Sequence, residues 1–394
     1  MRRVSDFDIK GKKVLVRVDF NCAVEDGKIV PGDRIEAHSN TIKKLAEKGA
    51  RVIVLAHQGR KDSEDFLDLS QHAELIKQYT GMQVMYVNDI LGNKAKSAIE
   101  NLKDGEILLL ENVRALDDER REDGRIVSEL SPLVDYFVLD ALSVAHRAHS
   151  SVVGFSKRIP SFYGDVLADE VKALESLKDV KDVTFICGGS KVKDSFGIMR
   201  KWLSDGRAKK FLTGGALSIL FIKAKGYSIG WSEEYFKEAG LNEYLEDAGK
   251  MLEEYGGRIE IPADVGLRFG DERREADVDK ITEGQIFDIG EKTMEKYRNI
   301  ILESGAVVMN GPMGVYEIDK FAKGTKVVLD AISESKGYSL LGGGHTITAI
   351  KKLNVDRSGF GYISLAGKAL IEYLCGKEIP GIRALDENEK EFSV

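Results

Sequence analysis

Basic and polar side chains follow the ends of short apolar runs, and their types suit a small polyanion. Arg17-Val18-Asp19-Phe20-Asn21 closes the first run, and Arg34 follows in a loop. His57-Gln58-Gly59-Arg60 closes the second, Glu111-Asn112-Val113-Arg114 closes another, and His146-Arg147-Ala148-His149-Ser150-Ser151 follows a fourth. Arg34, Arg60, Arg114 and Arg147, gathered on one rim with His57, would grip phosphate or carboxylate, because a guanidinium binds both bidentately. One such arginine is an ordinary surface charge; the succession at strand ends is what points to a site. His146 and His149 have an i, i+3 spacing, but no third ligand accompanies them, so no metal-ligand set is assigned.

The second half of the chain carries glycine where the first carries arginine. Gly188-Gly189-Ser190-Lys191, Gly214-Gly215, Asn310-Gly311-Pro312-Met313-Gly314-Val315-Tyr316-Glu317 and Gly342-Gly343-Gly344-His345-Thr346 each follow an apolar run. One glycine pair is weak evidence of phosphate binding, since turns need glycine too; four such loops after strand ends favour a nucleotide site. A Walker A loop is absent: Gly367-Lys368-Ala369 lacks the earlier glycine, with Tyr362 in its place, and the hydroxyl residue. No dinucleotide fingerprint opens a helix.

The elements that must hold these residues alternate. Apolar runs at Val14–Val18, Val52–Ala56, Val84–Val87, Ile107–Leu110 and Tyr136–Leu139 predict strands, separated by amphipathic stretches such as Thr41–Ala50 and Ser70–Thr80. A second series runs Val183–Cys187, Phe211–Thr213, Ile259–Ile261, Ala306–Met309, Tyr338–Leu341 and Gly361–Ser364. This pattern predicts an α/β chain with two Rossmann-like three-layer domains, each a parallel sheet covered by helices, joined by a hinge helix at Leu167–Leu177. Ligands of such sheets sit at the carboxyl ends of the strands.

Composition agrees with two domains. The 394 residues are 43% hydrophobic and 31% charged, with a net charge of −7. That balance argues against nucleic acid or an anionic membrane surface as partner, so an anionic ligand must be met by local cations. No run is long and apolar enough to span a bilayer, and the N-terminus is charged, so a cytoplasmic location is expected. The three cysteines, Cys22, Cys187 and Cys375, are too scattered for a disulfide framework or a zinc cluster.

Taken together, RVDFN at 17–21, HQGR at 57–60, LLENVR at 109–114, AHRAHSS at 145–151, GGSKVKD at 188–194, NGPMGVYE at 310–317 and GGGHT at 342–346 closely resemble the phosphoglycerate kinase family, in order and over nearly the whole chain. The resemblance implies a two-domain hinge kinase that moves a phosphoryl group between 1,3-bisphosphoglycerate and Mg-ADP, giving 3-phosphoglycerate and Mg-ATP. It implies a phosphoglycerate domain at 1–160, a hinge helix at 161–178, a nucleotide domain at 179–376, and a segment at 377–394 packing back toward the first. Carried over by position, the phosphoglycerate site is Asp19, Phe20, Asn21, Arg34, His57, Gln58, Gly59, Arg60, Arg114 and Arg147. The nucleotide site is Gly188, Gly189, Lys191, Gly214, Asn310, Pro312, Glu317, Gly342, Gly343, Gly344, His345 and Thr346. Glu317 would hold the ribose, and Arg34 and Lys191 would steady the transferring group. The resemblance implies Mg2+ as part of the nucleotide complex, and a monomer or homodimer.

Three positions depart from the family pattern. Ser195 stands where a second lysine is common, and His345 where an acidic residue usually follows the triple glycine. Ser364-Leu365-Ala366-Gly367-Lys368-Ala369 replaces a glycine-rich STGGGA segment. Gln58, Ser195 and His345 resemble the archaeal branch. Lys368 is a candidate for the cation lost at 195, against the plainer expectation of a solvated helix residue.

Overall fold

A computed structural model describes residues 1–392. Its contacts divide the chain into two units, Met1–Lys172 with the segment from Lys377 onward, and Ala173–Gly376. The boundary falls inside the helix Asp165–Glu175. Residues 393–394 of the expected 377–394 segment lie outside the described residues.

The first unit is built on a six-stranded sheet in the order Val84–Val87, Ile107–Leu110, Arg51–Leu55, Lys13–Arg17, Tyr136–Leu139, Ser161–Tyr163, parallel throughout. The central strands are rich in Val, Ile and Leu and buried beyond their first residues, as expected when helices cover both faces. The chain leaves the first strand toward one edge and returns on its other side, so the switch in strand order lies between Lys13–Arg17 and Tyr136–Leu139. Asp19, His57 and Asp140 follow strands at or beside that point.

Ser161–Tyr163 corrects the expectation of a helix from 161. All three residues are buried, and they add an edge strand before the helix starts at Asp165. Arg34 is not in a loop either: Pro31-Gly32 stops the preceding hairpin, and Arg34 occupies the first turn of the helix Asp33–Glu47. The helix Pro380–Glu391 belongs to this unit, with proline at its first position, where a missing N–H costs nothing. Its buried Asn388 locks it down: Oδ1 accepts from Ser161 N and Arg2 Nη2, both at 2.8 Å, and Nδ2 donates to the carbonyls of Ser156 at 2.7 Å and Ile159 at 2.9 Å.

The second unit has its own six-stranded parallel sheet, in the order Ile259–Glu260, Ala208–Thr213, Val183–Cys187, Ala306–Asn310, Tyr338–Gly342, Tyr362–Ile363. Here the switch lies between Val183–Cys187 and Ala306–Asn310, which brings the loops after both to one edge. An antiparallel sheet of Asp264–Phe269, Glu272–Asp277 and Gln285–Ile289 is an addition to the expected architecture.

Candidate functional sites

In the first unit the site grows from the end of the strand Lys13–Arg17. Asp19 is buried and receives Ser143 Oγ, the Asn21 N–H at 3.1 Å, and Arg34 Nη1 at 2.9 Å from Oδ2. Burial opposes ionisation of Asp19, but Arg34 and the Ser143 hydroxyl outweigh it and hold the carboxyl well below its ordinary range. Arg34 is thereby anchored at one edge while 31% of its side chain stays exposed. The Gly59 N–H donates to Asn21 Oδ1 at 2.8 Å, and Arg114 Nη1 donates to the Gly59 carbonyl.

Arg17, outside the expected set, is buried behind this rim. It donates through Nε to Ser151 Oγ at 2.9 Å and through Nη2 to His57 Nδ1 at 3.2 Å. Beside it a cavity of about 400 Å³ is lined by Arg60, Arg114, Arg120, Arg147, His149 and Glu119, among others. Burial first, then the neighbouring Arg147 and Arg17, lower Arg114 to about 10 against the opposing pull of Asp19. Glu119 is held beside them, accepting from Ser150 Oγ at 2.8 Å and Ser151 N at 3.2 Å. His146 Nε2 accepts from Arg147 Nε at 3.2 Å, which places that histidine within the basic cluster.

Two members of the expected set turn their side chains away from the rim. The Phe20 ring lies in the hydrophobic core, stacked on His72, with only its backbone at the loop. Gln58 is buried, with its carboxamide bonded to the backbone of Cys22 and Asp65.

Three histidines of this unit, His57, His72 and His149, are held neutral. Burial lowers His57 well below its ordinary value, with Arg17 adding to it; burial and Arg147 lower His149 to about 4, and burial lowers His72 to about 4. At these three histidines the unfolded chain therefore binds more protons between pH 6.5 and about 4, and their contribution to stability falls as pH drops through that window. The urea midpoint is expected to decrease from pH 7 to about pH 4.5. His72→Gln, which keeps a donor for the Phe20 carbonyl, should flatten that slope; an unchanged slope would contradict the assignment.

In the second unit four loops interlock at the sheet edge. Gly188 N donates to the Asn310 carbonyl at 3.0 Å, Gly189 N to the Pro312 carbonyl at 2.8 Å, and Gly214 N to the Cys187 carbonyl at 2.9 Å. A Cβ on Gly188 would lie 2.0 Å from the Pro312 oxygen, so this glycine serves loop packing. Gly342 ends its strand, and Gly343, at φ +92°, turns the chain into the helix Gly344–Lys352. Gly344, His345 and Thr346 thus form the helix's first turn, where backbone N–H groups lack partners within the helix. The Thr346 hydroxyl accepts from Gly311 N at 2.9 Å.

Lys191 stands just before the helix Val192–Ser204, exposed, its ammonium without hydrogen bond or ion pair among the described residues. Beside the loops is a cavity of about 420 Å³, a size suited to a small-molecule ligand. Its apolar wall includes Ile219, Tyr235, Ile286, Phe287, Val315 and Met313, and Glu317 and His345 stand at its polar side, 3.9 Å apart. Tyr235, Ile286 and Phe287 belong to no motif and were not anticipated.

The departures also find their places. Ser195 is buried, its hydroxyl bonded to the Cys187 thiol, which burial pushes up to about 12. Lys368 is exposed and lies 3.7 Å from Glu372 one turn along its own helix, an ordinary surface pair.

A family model described as phosphoglycerate kinase matches residues 4–377. The phosphoglycerate kinase of Methanopyrus kandleri is 40% identical over 393 residues, covering 97% of this chain and 96% of that protein. That of Pyrococcus abyssi is 38% identical over 407 residues, covering 100% and 99%. The crystal structure of phosphoglycerate kinase from Pyrococcus horikoshii OT3 matches with a TM-score of 0.91 at 37% identity over 100% of both chains. The Coxiella burnetii phosphoglycerate kinase structure matches at 0.84 and 31% identity over 98% of each.

Proposed function

The chain belongs to the phosphoglycerate kinase family, and we propose that its first unit holds the phosphoglycerate and its second the nucleotide. The reaction is reversible transfer of a phosphoryl group between 1,3-bisphosphoglycerate and ADP, giving 3-phosphoglycerate and ATP. One observation carries the assignment: the first unit offers crowded guanidiniums at its strand ends, whereas the second offers an apolar cavity beside glycine loops and an unpaired lysine.

Arg34, Arg60, Arg114 and Arg147 bind the carboxylate and phosphate of phosphoglycerate, with neutral His57 and Asn21 supplying hydrogen bonds. The base enters the apolar cavity, Glu317 holds the ribose hydroxyls, and the phosphates lie against the first turn of Gly344–Lys352 and near Lys191. An acyl phosphate has a good leaving group, so the protein needs alignment and charge stabilisation rather than a nucleophile or base. Arg34 and Lys191 supply that charge, and closure of the two units aligns donor and acceptor in line and excludes water.

Magnesium fits this chain as a guest of the nucleotide. No group of three or more His, Cys, Asp or Glu side chains suited to a metal occurs among the described residues, and a nucleotide-borne ion needs only one or two carboxylates beyond the phosphates. When bound, the ion neutralises charge on the phosphate oxygens. A cytoplasmic location goes with these substrates.

The test is a steady-state assay with 3-phosphoglycerate and Mg-ATP, trapping the acyl phosphate by coupled reduction. Turnover that depends on both Arg34 and Lys191 supports the assignment. Calorimetric binding of both ligands without turnover overturns it.

A further inference from the structure

We propose that Gln58 is a positioning residue for the phosphoglycerate subsite, holding the Asn21 loop in register with the His57–Arg60 loop. The proposal rests on the assignment of the basic rim to phosphoglycerate. Gln58 is wholly buried. Its carboxamide lies against the Cys22 backbone as a neighbouring strand would: Oε1 accepts from the Cys22 N–H at 2.9 Å, and Nε2 donates to the Cys22 carbonyl at 3.0 Å. The second Nε2 hydrogen reaches the Asp65 carbonyl at 3.1 Å. Both donors of the amide are engaged, which leaves none for a ligand.

The same two loops meet again one residue away on each, where Gly59 N donates to Asn21 Oδ1. The Gln58 carbonyl accepts from Asn112 Nδ2 at 2.8 Å, and Asn112 Oδ1 accepts from Arg114 N at 3.2 Å. Segments bearing Asn21, His57–Arg60 and Arg114 are thus tied through one buried residue. A subsite that reads a small anion with several side chains must hold them to within about 0.5 Å. An apolar side chain at position 58 would fill the space but release the loop.

Cys22 is a built-in reporter, a free thiol of intermediate exposure next to Asn21. In Gln58→Leu, KM for 3-phosphoglycerate is expected to rise about tenfold, with a smaller change in kcat and KM for ATP within about twofold. Alkylation of Cys22 by iodoacetamide, followed by peptide mass spectrometry, should be faster than in the wild type and slow again with saturating 3-phosphoglycerate. Should that variant not fold, Gln58→Glu, whose carboxylate opposes the two carbonyls, is read by the same measurements.

An unchanged KM for 3-phosphoglycerate overturns the proposal, as does an equal rise for both substrates. A raised KM with unchanged Cys22 labelling overturns it too, because Gln58 would then touch the ligand itself. Arg34→Ala run in parallel separates the two assignments. If it leaves turnover intact, the assignment of the rim fails; if it disables the enzyme while Gln58→Leu leaves KM for 3-phosphoglycerate unchanged, only the clamp fails.

Discussion

Arg34→Ala is expected to lower turnover by about 10²–10³-fold, the loss of about 3–4 kcal/mol that follows removal of a preorganised donor at a transition state. The guanidinium has five donors in a fixed fork. One edge is held by Asp19 at 2.9 Å, so the side chain is aimed before substrate arrives. Stability should change far less. Asp19 keeps Ser143 Oγ and Asn21 N as donors after Arg34 is gone, so it is not left as a bare buried charge. A loss of about 1–2 kcal/mol is expected, below the cost of stripping a fully buried pair. Arg34→Lys keeps a cation for Asp19 but loses the fork, and should melt near the wild type with turnover still depressed. Steady-state kinetics beside thermal melts decide this. Full turnover in the lysine variant, or equal losses of rate and stability in the alanine variant, would contradict the role.

Lys191→Ala should match that loss of turnover, about 10²–10³-fold, from the opposite structural circumstance. Lys191 is exposed and its ammonium has no partner among the described residues, so its removal disturbs no packing. Its melt is expected within about 0.5 kcal/mol of the wild type. Because a charge on the moving group matters most in the transition state, kcat should fall more than ATP affinity measured by calorimetry. Lys368→Ala is the matched control. Its ammonium sits on a surface helix 3.7 Å from Glu372, and its loss should leave both rate and melt unchanged. If Lys368→Ala slows the reaction as Lys191→Ala does, it supplies the positive charge absent at Ser195.

The inner strands were legible because they are buried on both faces. Ile107–Leu110 and Tyr136–Leu139 are unbroken apolar runs, Val183–Cys187 is interrupted only by the buried Thr184, and the bounds of all three read directly from the chain, as do those of the apolar but partly exposed edge strand Val84–Val87. Ser161–Tyr163 was not legible, being three residues after a proline. The antiparallel sheet was missed for a different reason. Its middle segment, Glu272–Asp277, is almost entirely charged, and its Arg273 is buried only because Asp288 receives it at 2.7 Å. With that sheet went Ile286 and Phe287 of the cavity wall. At the rim, chain order told which loop each residue occupies but not where its side chain points. Phe20 and Gln58 sit in the right loops and face the core and the backbone, while Arg17, placed in the same motif, is the buried cation against His57.

The helix Pro380–Glu391 also bears on how the protein is made. The second unit is an insertion within the first, whose helix Pro380–Glu391 is translated only after all of Ala173–Gly376. A nascent chain therefore emerges with every segment of the inserted unit ahead of Asn388, the partner for Arg2, Ser156, Ile159 and Ser161. Maturation therefore runs inside out, with the unit begun first finished last. The segments around residues 2 and 388 end side by side, so a short linker joining them, with new ends opened in an exposed loop of the inserted unit, would reverse that order of birth without altering the native contacts.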